Sequence, residues 1–187
     1  MAKIFLYDLE TTGLNPDKCA IHQMAVKVIV NGYEPIYKDF KIRPFEGAEI
    51  HPEALKVGGV TLEQIMEYPE EKDAFRDIIG FLTGLVSKFD KADKMHLCGY
   101  NICAFDNKFL RELFIRNNDK FFGSYFWSDS IDVFALASNY LMHERHLMPN
   151  FKQATVADWL GIEVDQSRLH EAMYDLELCS QIKRIVS

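Results

Sequence analysis

The sequence predicts an α/β fold, a mixed sheet flanked by helices. Three observations carry that expectation. A short apolar run, Lys3 to Asp8, is apolar at successive positions and ends in acid, as a buried central strand does. Two Val- and Ile-rich stretches then flank Asn31-Gly32, a strong hairpin signal. After residue 70, amphipathic helices alternate with short apolar segments. With 187 residues, 48% hydrophobic and 26% charged, the chain suits one globular domain, 1–187, and not a disordered, collagenous or coiled-coil protein.

The elements follow in order. Strands are expected over 3–8, 21–30 and 33–42, forming an antiparallel meander. The segment 43–69 carries Pro, Gly and acid and promises only short helices. Residues 71–89 place apolar side chains at 75, 78, 79, 82, 85, 86 and 89, one face of a helix. A short strand is expected at 96–100, and helices at 105–117, 132–142, 152–160 and 172–186. No apolar run approaches the roughly 20 residues of a membrane span. The amino-terminal run, Ile4 to Tyr7, meets acid at once and is not a secretory leader. Cysteines at 19, 98, 103 and 179 form no CxxC pair, so buried free thiols in a reducing, cytoplasmic setting are expected.

The net charge is −7 and unevenly spread. Glu46 to Asp77 holds nine acids and three bases, leaving 19 acids and 18 bases elsewhere. An acidic chain is a poor candidate for nucleic acid, whose phosphates need cations. Four of the remaining acids, however, read as metal ligands. Setting them aside leaves 15 acids against 18 bases, so a polyanionic substrate is not excluded.

Those four acids occupy unusual places. Asp8 and Glu10 are two apart at the end of the first strand, so both side chains point the same way, about 6.6 Å apart along the chain. A lone pair of this kind is also what a solvated strand end looks like. Asp175 lies on the apolar stripe Ala172, Leu176, Cys179, Ile182 and Val186, where a carboxylate is costly unless ion-paired or bound to metal. Asp106 opens the inward face of its helix, a position that a capping Asp also takes. His170 stands five residues before Asp175, placing it in the loop ahead of the helix. Two carboxylates about 5 Å apart repel by roughly 3 kcal/mol at an effective dielectric of 20. Four in one cleft therefore call for cations, and oxygen-only ligands favour two Mg²⁺, with Mn²⁺ able to substitute. Such a site is built for in-line displacement at phosphorus.

The motifs DLETTG (8–13), NICAFD (101–106) and HEAMYD (170–175) resemble, in order and spacing, the three exonuclease motifs of the DnaQ-like (DEDDh) 3′→5′ exonucleases. The resemblance covers nearly the whole chain. It implies a ribonuclease H-like fold with a five-stranded mixed sheet between helices. It also implies catalytic roles for Asp8, Glu10, Asp106, His170 and Asp175. Asp8 would bridge two metals, Glu10 and Asp175 would share one of them, and Asp106 would hold the second largely through water. His170 would be the general base, a task suited to an imidazole near neutral pH. Thr11, Thr12, Gly13 and Leu14 would cradle the terminal nucleotide, with Leu14 wedged between the last two bases. Phe105 would line the terminal base pocket or simply join the core, as Phe109 is expected to.

The implied activity is removal of nucleoside 5′-monophosphates from the 3′ end of single-stranded or frayed nucleic acid. DNA is favoured; RNA trimming or oligoribonucleotide degradation is the alternative, and a non-catalytic binding module the remote one. The chain ends 12 residues after Asp175, which favours a stand-alone enzyme, though a protein partner such as a polymerase could meet the acidic 46–77 stretch. Oligomeric state is not readable. The aromatic segment FFGSYFW, 121–127, is expected mainly to pack, and Asp132 reads as a helix-start acid that could lie near the site. His143 and His146 read as surface residues.

Overall fold

A computed structural model describes residues 2–87 and 89–187. Five strands form one mixed sheet: β1 (Lys3–Thr11), β2 (Ile21–Val30), β3 (Ile36–Lys41), β4 (Met95–Gly99) and β5 (Phe126–Asp132). Their order is β3-β2-β1-β4-β5, with β1–β2 and β2–β3 antiparallel and β1–β4 and β4–β5 parallel. The helices are α1 (Pro52–Val57), α2 (Leu62–Met66), α3 (Glu71–Leu85), α4 (Asp106–Arg116), α5 (Phe122–Tyr125), α6 (Val133–Tyr140), α7 (Gln153–Trp159) and α8 (Ala172–Val186). The mixed, helix-flanked architecture agrees with expectation.

β1 is central because both its faces are apolar. Phe5, Tyr7 and Leu9 pack with α3, α4 and α5 residues such as Phe75, Leu82, Phe109 and Phe114. Leu6 faces the opposite layer, built from α6, α7 and α8 by Val133, Ala137, Val156, Leu176 and Ile182. Period-two alternation thus sends Asp8 and Glu10 to the side that α8 covers. A β-bulge between Glu10 and Thr11 makes His22 an extra residue on β2: Glu10 pairs with Gln23, but Thr11 pairs with Ile21. The strand there bends away and frees residues 12–14 to form a turn.

Three expectations need correction, and one implied strand finds its place. The β2–β3 connection is five residues long rather than a tight Asn-Gly turn, since Pro35 has no N–H to give the ladder and β3 starts only at Ile36. α3 stops at Leu85; Val86 is extended and Phe89 is 90% exposed instead of completing the apolar face. β5, implied only by the family resemblance, occupies 126–132, partly within the aromatic segment. Cys103 is exposed, whereas Cys19, Cys98 and Cys179 are buried free thiols as expected. The helices expected at 105–117, 132–142, 152–160 and 172–186 begin and end within two residues of those bounds, whereas the short α5 (Phe122–Tyr125) has no expected counterpart. Among the described residues, no helix is long and apolar enough to cross a membrane.

Candidate active site

The first and last motifs meet where β1 leaves the sheet. Carboxylate oxygens of Asp8, Glu10 and Asp175 all lie within 4.8 Å of one another. Asp8 and Glu10 are brought together by strand alternation. Asp175 reaches them from the first turn of α8, whose stripe Ala172, Leu176, Cys179, Ile182 and Val186 is buried. No Lys or Arg pairs with Asp175 among the described residues, so the ion-pair reading of that residue fails.

Asp106 stands just outside this trio. It is the first residue of α4, it is buried, and its Oδ1 accepts the Leu9 N–H at 3.2 Å. It is fastened to the backbone of the strand that carries Asp8 and Glu10, and it does not cap its own helix. The loop that delivers it, 101–105, is held by Asp132. Its Oδ1 accepts N–H groups of Asn101 (2.9 Å) and Phe134 (3.0 Å), and its Oδ2 accepts that of Cys103 (3.0 Å). One carboxylate therefore caps α6 and pins the loop carrying Asp106. Gly99, just before this loop, has no room for a side chain, because a Cβ would fall 2.7 Å from the Tyr7 carbonyl oxygen.

The electrostatics follow from crowding acids in a partly dry site. Burial, then Asp106, Glu10 and Asp175, push the Asp8 carboxyl well above its usual range. Burial, Asp175 and Asp106 raise Glu10 to about 7, against a small opposing pull from Lys41. Burial likewise raises Asp106 to about 7, although its own backbone N–H and that of Leu9 favour the charged form. Asp175 is raised by burial and partly relieved by the His170 N–H, which donates to its Oδ2 at 3.1 Å. An uncompensated oxygen cluster of this kind fits a divalent cation.

His170 is held differently from the acids. It sits in an exposed turn ahead of α8 with φ 71°, a left-handed conformation uncommon outside glycine. Its backbone, not its ring, bonds to Asp175. The turn borders a cleft of about 550 Å³ lined by Lys152, Gln153, Thr155, Leu169, His170 and Asp175 among others. A larger cavity, about 1030 Å³, lies between residues 43–50, α3 and the end of α4, and none of the four carboxylates lines it.

The 11–14 turn divides its work. The Thr11 hydroxyl donates to the Gly13 carbonyl at 2.8 Å. Thr12 is fully buried; its hydroxyl donates to the Glu49 carbonyl and accepts the Ala20 N–H. Leu14, by contrast, is 83% exposed. Phe105 is half-buried and packs on Phe109, with ring centroids 4.9 Å apart. Asp132's threefold grip escapes a reading that treats it only as a helix-start acid. So does His22, a polar residue in an apolar strand. It is fully buried with neither ring nitrogen hydrogen-bonded, and burial lowers its pKa to about 4. A Cβ on Gly58 would lie 3.3 Å from Glu10 Oε2 and 3.5 Å from His22 Nε2, so Gly58 packs against both side chains.

A family model described as Exonuclease (RNase_T) matches residues 5–182. The chain belongs to this exonuclease family. Membership bears out the enzyme class expected from the three motifs. Ribonuclease T of Shewanella denitrificans is 30% identical over 184 residues, covering 94% of this chain and 76% of that protein. The PolC-type DNA polymerase III of Mycoplasmopsis pulmonis is 28% identical over 177 residues, which are 95% of this chain but only 11% of the polymerase. Among solved structures, E. coli exonuclease I in complex with a dT13 oligonucleotide superposes with a TM-score of 0.78 at 20% identity. That match takes in all of this chain and 41% of exonuclease I, and it shows that the ribonuclease H-like fold of the exonuclease family is present here.

Proposed function

We propose that this chain is one exonuclease domain, 1–187, that removes nucleotides from the 3′ end of single-stranded or frayed nucleic acid. The observation that carries the reading is the convergence of Asp8, Glu10 and Asp175 within 4.8 Å, with Asp106 tied to the same strand and His170 on the adjoining turn.

In this reading Asp8, Glu10 and Asp175, with Asp106 alongside, hold two Mg²⁺, for which Mn²⁺ can substitute. When bound, such ions neutralise the acids and supply Lewis-acid stabilisation for in-line displacement at phosphorus. His170 takes the proton of the attacking water as its oxygen bonds to phosphorus. The P–O3′ bond breaks, the leaving 3′-oxygen takes a proton from solvent, and the products are a nucleoside 5′-monophosphate and a shortened strand ending in a 3′-hydroxyl. In the 11–14 turn the buried Thr11, Thr12 and Gly13 would support the terminal nucleotide from beneath, and the exposed Leu14 would wedge between bases. Phe105 offers its open face to the terminal base. The buried free thiols suit a cytoplasmic setting. DNA is one substrate class; RNA trimming is the second, favoured by the 30% identity with a protein named Ribonuclease T. A polymerase partner is suggested by the likeness to a PolC-type enzyme.

The test is digestion of 5′-labelled and 3′-labelled single strands, DNA and RNA in parallel, with Mg²⁺, Mn²⁺ or EDTA and with Asp8→Ala as control. Early loss of the 3′ label and a shrinking 5′-labelled ladder, abolished by EDTA and by the substitution, is expected. Intact strands with folded, metal-supplied protein would leave a non-catalytic binding role instead.

A further inference from the structure

We infer that Cys19, Glu49 and His51 form a second metal site, of a different chemical kind, for a borderline-soft divalent ion such as zinc. The site clamps the 11–14 turn. The three residues offer Sγ, a carboxylate oxygen and an imidazole nitrogen, all within 4.8 Å of one another. A tetrahedral zinc with Zn–S of about 2.3 Å and Zn–N and Zn–O of about 2.0–2.2 Å needs ligand atoms some 3.3–3.6 Å apart, so small side-chain rotations close the site. Three protein ligands leave a fourth position for water. The oxygen-only trio at Asp8 suits hard ions, whereas a thiolate with an imidazole selects a softer one.

The backbone holds these ligands before any ion arrives. The Cys19 N–H donates to the Asn15 carbonyl at 2.7 Å, and Cys19 forms an isolated parallel bridge with Glu49. The Glu49 N–H donates to the Lys18 carbonyl, and the His51 N–H to the Thr12 carbonyl, both at 2.8 Å. Glu49 divides its carboxylate: Oε1 lies 3.1 Å from Lys18 Nζ, while Oε2 faces His51 Nε2 at 3.7 Å and is left for the ion. Gly13 keeps the gap open. A Cβ there would fall 2.6 Å from Cys19 Sγ and 2.5 Å from His51 Cδ2, so any side chain would force the pair apart. Cys19 is buried but Glu49 and His51 are exposed, which gives an ion a path from solvent. On binding, the thiol gives its proton to solvent and the thiolate ligates. Bound metal then joins residues 19, 49 and 51 around Gly13.

The full chain, with saturating Mg²⁺ at the oxygen trio, is titrated with Co²⁺. One equivalent should produce a thiolate-to-cobalt charge-transfer absorption that zinc then bleaches. Oxygen ligands give no such band, so the result is independent of the active-site reading. The band should vanish in Cys19→Ser and persist in Cys103→Ser. His51→Ala, at an exposed position that leaves the core intact, should weaken cobalt binding at least tenfold. In an Asp8→Asn background, zinc should still raise the melting temperature, and adding His51→Ala should remove that rise. No charge-transfer band, a band that survives Cys19→Ser, or a zinc-induced rise unaffected by His51→Ala would overturn the site.

Discussion

Two parts of the candidate active site are built on opposite principles. The acids are fixed by the sheet and helices: Asp8 and Glu10 by strand alternation, Asp106 by the Leu9 N–H, Asp175 by the stripe of α8. His170 stands in an exposed turn with left-handed backbone and no ring contact to the acids. The difference separates two requirements. Ligands for a small hard cation must keep their geometry and accept a standing electrostatic cost. A group that exchanges a proton with water is better kept in solvent and close by.

The sharpest way to break this contrast is Asp8→Asn. Turnover should fall beyond detection, by more than the roughly 10⁴-fold upper range for loss of a general base. The same change relieves repulsion among buried acids, so the metal-free variant should be about 1 kcal/mol more stable and melt roughly 2–4 °C higher in a calorimeter. Turnover near wild type, or lower stability, would remove Asp8 from the rigid half. Next comes His170→Ala, expected to cost 10²–10⁴-fold in turnover with divalent-ion affinity unchanged by calorimetric titration. His170→Gly should lose as much activity yet melt higher, since glycine takes the left-handed conformation without the ~1 kcal/mol penalty. A change in metal affinity in either variant would show the turn to be part of the ligand cage.

Smaller effects test how the rigid half is assembled. Asp132→Ala leaves three backbone N–H groups without their acceptor, and a loss of about 2 kcal/mol, roughly 4–8 °C in melting temperature, is expected. Turnover should drop about 10–100-fold through displacement of Asp106, with His170 unaffected. The least dramatic test is pH. In EDTA, Glu10 and Asp106 have pKa values near 7 in the folded protein, above those of the unfolded chain. At these carboxyls the folded state binds more protons, which lowers stability as pH rises from about 4 to 7; His22, lowered to about 4, works the other way below about 6.5, and the four raised carboxyls outweigh it. Melting temperatures in EDTA should decline across that range, and a divalent ion should flatten the decline. A melting temperature that rises with pH in EDTA would contradict crowding of the acids.

Much of this was readable from residues alone, for a physical reason. Where one side-chain period dominates, as in the α8 stripe or the doubly apolar β1, burial follows the pattern and Asp175 stands out against it. β5 was hidden because FWSDSID is an edge strand with a polar, half-exposed course and no clean alternation. The end of α3 was overrun because Val86 and Phe89 continue the helical spacing after the helix has stopped. Asp132, His22 and the meeting of Cys19 with His51 depend on contacts between distant segments, which no local spacing encodes.

The extra residue at His22 has a consequence for how this sequence can change length. A strand pair is a two-beat alternation, and one inserted or deleted residue inverts every side chain beyond it. The bulge absorbs one such beat, so the stretch leading to Cys19 and Ala20 runs out of phase with the ladder that carries Glu10 opposite Gln23. Deleting His22 would remove the bulge but leave Glu10 opposite Gln23 and Thr11 opposite Ile21, so the fully buried Ile21 would keep its side. A one-residue change of length in this part of the chain is therefore absorbed at the bulge, or at the exposed tip around Asn15 and Asp17, where the count of residues does not set a phase.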